Sequence, residues 1–284
     1  MELQELRAAV EAGAVDTVLL AITDMQGRLQ GKRLHARHFL DEVVEHGAEG
    51  CTYLLAVDVD MATVDGYAMA SWERGYGDFV VRPDLSTLRP VPWHEGTAMC
   101  LADVVWHDGS PVAASPRQIL RRQLERLAER GWTAHAGTEL EFIVFRDSYD
   151  GSFAPTAVAW GHDNRTCALR VVGHGPSLRF ENRVGGADLN PYLALSAIIA
   201  AGLHGVDAGL ALEPPLEGDA YRSDRPRVPT TLREARDLFA RSAVAREAFG
   251  DEVVEHYLNA ARVEIDAYDA AVTDWERVRG FERL

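Results

Sequence analysis

The chain opens with MELQELRAAVEAG, whose apolar positions recur at helical spacing and predict an amphipathic helix. Two runs rich in strand formers follow, Asp16 to Thr23 (DTVLLAIT) and Arg28 to Leu34 (RLQGKRL). The turn-forming Asp24-Met25-Gln26-Gly27 between them predicts a hairpin. A second helix is expected over Ala36 to His46, stopped by Gly47. Proline-marked segments, VVRPDLSTLRPVPW and SPVAASPRQ, then lead to PRQILRRQLERLAERG. There Pro116 suits the first helical position and Gly131 the stop, which places a domain boundary near residue 110. Beyond it the pattern predicts a long strand from Trp132 to Phe145 and strand-like runs at Thr166 to Val172 and Ser177 to Val184. A set of helices follows, starting at Asn190-Pro191-Tyr192, where Asn caps and Pro occupies the first turn. This order of elements predicts an α+β chain of two domains.

At 284 residues and 47% hydrophobic content the chain can bury a substantial core. A net charge of −15 with no basic run argues against nucleic acid or an anionic membrane as partner, because both would be repelled at long range. The longest nearly apolar stretch, Leu193 to Leu203, is far short of the ~20 residues of a membrane span and predicts a buried helix. The acidic first helix is unlike a signal peptide. Cys51, Cys100 and Cys167 are odd in number and widely spaced, which suits a reducing cytoplasm better than a disulfide framework. Lys32 is the only lysine, so an anionic substrate would be held by arginines.

Two constellations carry candidate chemistry. In GTELEFIVF, Glu139 and Glu141 would project from one strand face, either as ligands of a hard divalent cation such as Mg²⁺ or Mn²⁺ or as a solvated face. In LRFENRV, Arg179, Glu181 and Arg183 share one face while Leu178, Phe180 and Asn182 take the other. The first face suits phosphoryl transfer, with arginines neutralising phosphate oxygens, or is a cross-strand ladder of ion pairs. Arg165 and Arg170 lie upstream; their five-residue offset puts them on opposite faces of a continuous strand unless Arg165 sits in the preceding loop. No phosphate-binding GxxxxGK[ST] loop, GxGxxG fingerprint, HExxH motif or GxSxG elbow is present.

Taken in order, GKRL, GDFVVRPDLSTLRPVPW, GTELEF, SFAPTAVAWGHDNRTCALRV, LRFENRVGGADLNPYLALSAIIAAGL and DWERVRGFER resemble the glutamine synthetase family over almost the whole chain. The resemblance implies a β-grasp domain at 1–110 followed by a catalytic α/β barrel domain at 111–284. It implies ATP as co-substrate, Mg²⁺ or Mn²⁺, a cytoplasmic enzyme, and a dodecamer of two hexameric rings. Position by position, Glu139 and Glu181 would share one metal with the nucleotide and Glu141 would hold a second. Arg165, Arg170 and Arg179 would face ATP, while Arg165 and Arg183 would contact glutamate and the reacting groups.

Two departures from the family pattern stand out. Ser152-Phe153-Ala154-Pro155 replaces an acidic flap, and CTYLLAVD around Tyr53 replaces an acidic FDGSS-like stretch. Both acids that would serve ammonium are gone, so Phe153 and Tyr53 are candidates for an apolar entrance admitting an organic amine, unless Phe153 is simple core packing. Among family members the chain is therefore closest in type to γ-glutamyl-polyamine and γ-glutamyl-ethanolamide synthetases. Alternatives are a glutamine synthetase using ammonia and a catalytically silent binding or regulatory relative.

The second departure lies near 149–151. There the family carries a long stretch with further metal-binding glutamates, a histidine ligand and an arginine segment, and here RDSYD passes directly into GSFAP. Such a chain is short of several barrel strands and of ligands for both metals, and unpaired strand edges are prone to aggregate.

Overall fold

The computed structural model describes residues 1–140 and 154–281. The first helix, α1 (Leu3–Glu11), buries Leu6 and Val10. Strand β1 (Thr17–Thr23) turns into β2 (Leu29–His35) in antiparallel register, Thr17 opposite His35 and Thr23 opposite Leu29. The hairpin forms because Asp24 closes its turn from within. Its fully buried carboxylate accepts the backbone N–H groups of Gln26 (3.0 Å) and Arg28 (2.8 Å) and the Arg28 Nε (2.8 Å). Gly27 has φ +87°, and a Cβ there would come within 3.3 Å of the Asn190 backbone, so the turn also fits closely onto a distant helix.

The helix expected over 36–46 forms in three parts: α2 (Ala36–His38), a π-helical turn (Phe39–Val43) and α3 (Val44–His46). The wider turn lets Phe39, Leu40 and Val43 all reach the core, and Gly47 ends the run at φ +76°. Strands β3 (Ala48–Cys51), β4 (Asp78–Pro83), β5 (Arg89–Pro90) and β6 (Thr97–Val105) complete a six-stranded sheet. Its order is β2-β1-β6-β4-β3, with β5 also on β6. β6 is parallel to β1 and antiparallel to β4. Leu6, Val18, Leu20, Phe39, Phe79 and Ala98 form the centre of the core on its inner face.

Helix α4 (Pro116–Ala128) begins with Pro116 in its first turn, as its sequence predicts. The run from 132 to 140 is exposed and adopts no regular structure, which corrects the expectation of a strand from Trp132. A strand exists only through its neighbours, and this segment has none among the described residues; positions 141–145 lie outside them. Strands β7 (Trp160–His162), β8 (Leu169–Val172) and β9 (Arg179–Asn182) then make a second sheet, parallel between β7 and β8 and antiparallel between β8 and β9. Helices α5 (Pro191–Asp207), α6 (Leu232–Arg241), α7 (Ala243–Phe249), α8 (Asp251–Ala270) and α9 (Asp274–Phe281) follow. Among the described residues no helix is long and apolar enough to cross a membrane. The three cysteines are free thiols.

The halves on either side of residue 110 meet where Asn190 reaches the hairpin turn at Asp24 and Met25, and within the second half a side chain also satisfies a helix end. Gln123, fully buried, donates its Nε2 to the Ala248 carbonyl at 3.0 Å, one of the carbonyls that the end of α7 leaves without a helical partner. Arg126 in turn donates to the Gln123 Oε1 at 2.7 Å. Gln123→Leu, which keeps the volume and removes both bonds, is expected to cost about 1–3 kcal/mol, read as a lower urea midpoint at unchanged slope. An unaltered midpoint would mean that water replaces the glutamine at no cost.

Candidate functional site

The sequence places alternating residues of β9 on opposite faces, and the strand register sorts the second sheet accordingly. Arg170 stands opposite Glu181 and Val172 opposite Arg179. Leu169, Val171 and Phe180 belong to the other face, with Trp160 paired to Leu169. One side of the sheet is therefore polar and arginine-rich, and the reverse is apolar.

On the polar side, Glu181 is gripped by two guanidiniums. Arg170 Nη1 donates to its Oε2 at 3.2 Å and Arg183 Nη1 to its Oε1 at 3.0 Å. Arg170 also bonds Asp163, through Nε at 3.0 Å and through Nη2. These hydrogen bonds, that to Asp163 first, push the Arg170 pKa further up, and the same contact holds the Asp163 carboxyl below the usual carboxylate range. The side chains of Arg170 and Arg183 are largely enclosed, at 15% and 17% exposure. The Arg183 Nε is buried with no hydrogen-bond partner among the described residues, so this guanidinium has donor capacity to spare.

Arg165 is exposed in the turn before β8, which places it in the loop rather than on the strand. Asn164 builds that loop: its Oδ1 accepts the Thr166 N–H (3.0 Å), and its Nδ2 donates to the carbonyls of Leu216 (3.1 Å) and Gly218 (2.8 Å). Arg179 is exposed at the start of β9, with Nη1 donating to the Ser177 carbonyl at 3.2 Å. Four arginines against two carboxylates give this side a surplus of positive charge in an acidic protein, which suits anionic phosphate and carboxylate groups.

The structure thus brings Arg170, Glu181 and Arg183 together. Glu139 lies in the exposed irregular segment before residue 141. Tyr53 is 36% exposed in a 3₁₀ turn, Thr52–Leu55. Glu141 and Phe153 lie outside the described residues. Asp163 is the member that sequence reasoning passed over; the Asp-Asn pair in WGHDNR, with Asp163 at φ +49°, was its available signal as a turn.

A divalent metal would need several oxygen ligands converging. Among the described residues no group of three or more His, Cys, Asp or Glu is assembled to hold one, and both Glu181 oxygens are taken by guanidiniums. These residues do not fit a metal site as they stand.

Comparison with known proteins gives three findings. A family model described as glutamine synthetase, catalytic domain, matches residues 113–152 and 148–279. The γ-glutamylethanolamide synthetase GlnA4 of Streptomyces coelicolor is 45% identical, over 99% of this chain and 96% of that protein, and a glutamate–isopropylamine ligase of a Pseudomonas species is 24% identical over 98% and 97%. The structure of GmaS in complex with ADP shares the fold, at a TM-score of 0.77 and 17% identity, covering 98% of this chain and 99% of that one. The alignment with the Streptomyces protein is 442 residues long, of which this chain can supply at most its 284. Well over a hundred residues of that relative therefore face nothing here.

Proposed function

The chain belongs to the glutamine synthetase family, and from that premise we propose that it acts as an ATP-dependent ligase joining the γ-carboxyl of glutamate to a small organic amine. The carrying observation is its 45% identity, along nearly its whole length, to a γ-glutamylethanolamide synthetase. The identity to an isopropylamine ligase points the same way, because both names specify an organic amine. The lost acids at Phe153 and Tyr53 agree with that choice, since an ammonium ion needs a carboxylate to bind and deprotonate it.

Ligases of this type use ATP and divalent metal ions. In the proposed site Arg165, Arg170 and Arg179 take nucleotide phosphate oxygens, and Arg165 and Arg183 take the glutamate carboxyl. Fixed guanidiniums lower the repulsion between two anions that must approach, and they hold the carboxylate oxygen in line with the phosphoryl group it attacks. ADP leaves as the acyl phosphate forms, and the amine nitrogen then attacks the acyl carbon, expelling inorganic phosphate and giving up a proton. Glu139, Glu141 and Glu181 are the carboxylates the resemblance assigns to metal. The described residues do not assemble such a site.

The same reading makes residues 1–110 a β-grasp domain and 111–284 a catalytic barrel domain lacking its interior near 149–151. The two family-model matches that meet at 148–152 and the excess alignment length support that gap. A cytoplasmic dodecamer is the form expected of it.

The test is γ-glutamyl amide formation with ethanolamine, isopropylamine, putrescine and ammonium, by the chain with the Streptomyces relative's interior segment inserted between the matched blocks. We expect kcat/KM for at least one organic amine to exceed that for ammonium by tenfold or more. Preference for ammonium would make the protein a glutamine synthetase. No turnover with any of them would make it a silent relative.

A further inference from the structure

Asp163 touches the arginine-bearing cluster, yet the function proposed above gives it no part. Its place is fixed by the backbone around it. The Asp163 N–H bonds the Val171 carbonyl at 3.0 Å, which ties the residue to β8. Asn164 ties the next position to the carbonyls of Leu216 and Gly218. Thr166 closes the loop, its Oγ1 donating to the Asn164 Oδ1 at 2.7 Å and accepting the Ala220 N–H at 2.9 Å. At φ +49° the backbone of Asp163 is left-handed, a conformation that glycine adopts freely and that other residues adopt at a cost, aspartate and asparagine at less than most. A charged residue kept by an anchored loop where glycine would sit more easily points to a task for its side chain.

The task is visible in the Arg170 guanidinium. Such a group carries five N–H donors in a rigid plane. Among the described residues three of them are taken: Asp163 Oδ1 accepts Nε at 3.0 Å and also Nη2, and Glu181 Oε2 accepts Nη1 at 3.2 Å. Held from two sides, the plane is kept from turning, and the other two N–H groups remain for a further acceptor. A mobile arginine loses side-chain entropy when it takes up an anion, whereas one already held in place loses little. Asp163 also lies close to Arg165: after Arg170, the charge of Arg165 is a further cause of its lowered pKa. It therefore stands beside two of the arginines assigned to nucleotide phosphate. With four arginines against two carboxylates, its own charge still leaves the site positive.

We propose that Asp163 is a positioning residue for nucleotide binding, which holds the Arg170 guanidinium in the orientation that offers its remaining N–H groups to a phosphate oxygen. This rests on the reading of Arg170 as a phosphate-binding group. A carboxylate on a slack loop would compete with phosphate for the arginine. One carried on an anchored loop supports the arginine instead, and the two roles predict opposite effects of removing it.

The experiment titrates ADP, with Mg²⁺ present, and adenosine into the chain as it stands and into the form carrying the relative's interior segment. Each is compared with Asp163→Asn, Asp163→Gly, Arg170→Gln and the double variant Asp163→Asn/Arg170→Gln. Asparagine and glycine both suit a left-handed backbone, and the side chain replaced is 78% exposed, so the two substitutions at 163 should leave the thermal transition in place. We expect each of them to weaken ADP about tenfold, the effect of removing a group that orients a ligand-binding side chain. Adenosine affinity should not change, a division that a general loosening of the fold would not give. With Arg170 already replaced, Asp163→Asn should alter ADP affinity by less than about twofold, because the two residues act as one unit. Tighter ADP binding by the variants at 163 would make Asp163 a competitor of phosphate and overturn the proposal. Unchanged ADP affinity at 163, with Arg170→Gln still weakening ADP, would also overturn it and leave the proposed function standing. If Arg170→Gln has no effect, or neither form binds ADP, the reading of Arg170 as a phosphate-binding group fails and the positioning role falls with it.

Discussion

Replacing Asn190 by alanine lowers the unfolding free energy by about 3 kcal/mol, the sum of a lost helix cap (about 1 kcal/mol) and a buried carbonyl left unpaired (about 1–3 kcal/mol). The residue is buried and works in two directions at once. Its Oδ1 accepts the Tyr192 N–H at 3.0 Å and caps α5, while its Nδ2 donates to the carbonyls of Asp24 (3.1 Å) and Met25 (3.0 Å) in the hairpin turn. The Asp24 carbonyl has a second donor in the Gly27 N–H, so the larger penalty falls on Met25. Asn190→Ser keeps a capping oxygen but lacks the reach to the hairpin, and should recover about 1 kcal/mol of the loss. Urea unfolding of the three proteins separates the two roles. If alanine and serine variants both match the parent within about 0.5 kcal/mol, the ordinary scatter of surface changes, then the helix-to-hairpin contact does not hold the halves together.

What could be read from the sequence was what local chemistry decides. The hairpin at 17–35, the start of α4 at Pro116 and the start of α5 at Asn190-Pro191 each depend on residues within a few positions of one another. The alternation in LRFENRV was legible for the same reason, and the register of β8 with β9 bears it out by setting Arg170 opposite Glu181. The failure at Trp132 is instructive because residues 132–140 carry a strand pattern but have no strand partner among the described residues, and pattern alone does not make a strand. The π-helical turn at Phe39–Val43 and the grip of Asp163 on Arg170 also escaped. The first is a tertiary demand to bury three side chains, and the second joins residues seven apart across a turn whose geometry no periodicity encodes.

The same limit applies to His256, which as one of ten histidines carried no signal in the sequence and is buried where the two halves meet. It sits on α8 with its Nε2 2.9 Å from the Met25 Sδ, its ring 4.5 Å from that of Tyr67 at a tilt of 41° and 5.4 Å from that of Tyr257. Burial lowers its pKa to about 4, against a smaller opposing hydrogen bond to the Leu55 backbone. The two tyrosines beside it do not titrate in the acid range, since burial pushes Tyr67 up to about 12 and Tyr257 higher still. An unfolded histidine binds its proton near pH 6.5, whereas the folded one stays neutral down to about 4, so between those values the unfolded state holds more protons and stability falls as pH falls. The full contribution is present above pH 6.5, and the loss amounts to about 3 kcal/mol by pH 4, at 1.36 kcal/mol per unit. Paired carboxylates such as Asp84, which burial raises but Ser86 and Arg117 hold below its usual value, lose their contribution only at lower pH and so leave this window to the histidine. Urea midpoints measured from pH 7.5 to 4 should therefore drop steeply in the parent. In His256→Gln, which keeps a donor and cannot take a proton, most of that slope should vanish while stability at pH 7.5 falls by no more than about 1–3 kcal/mol. Equal slopes in the two proteins would place the acid sensitivity elsewhere and remove His256 from the joint between the halves.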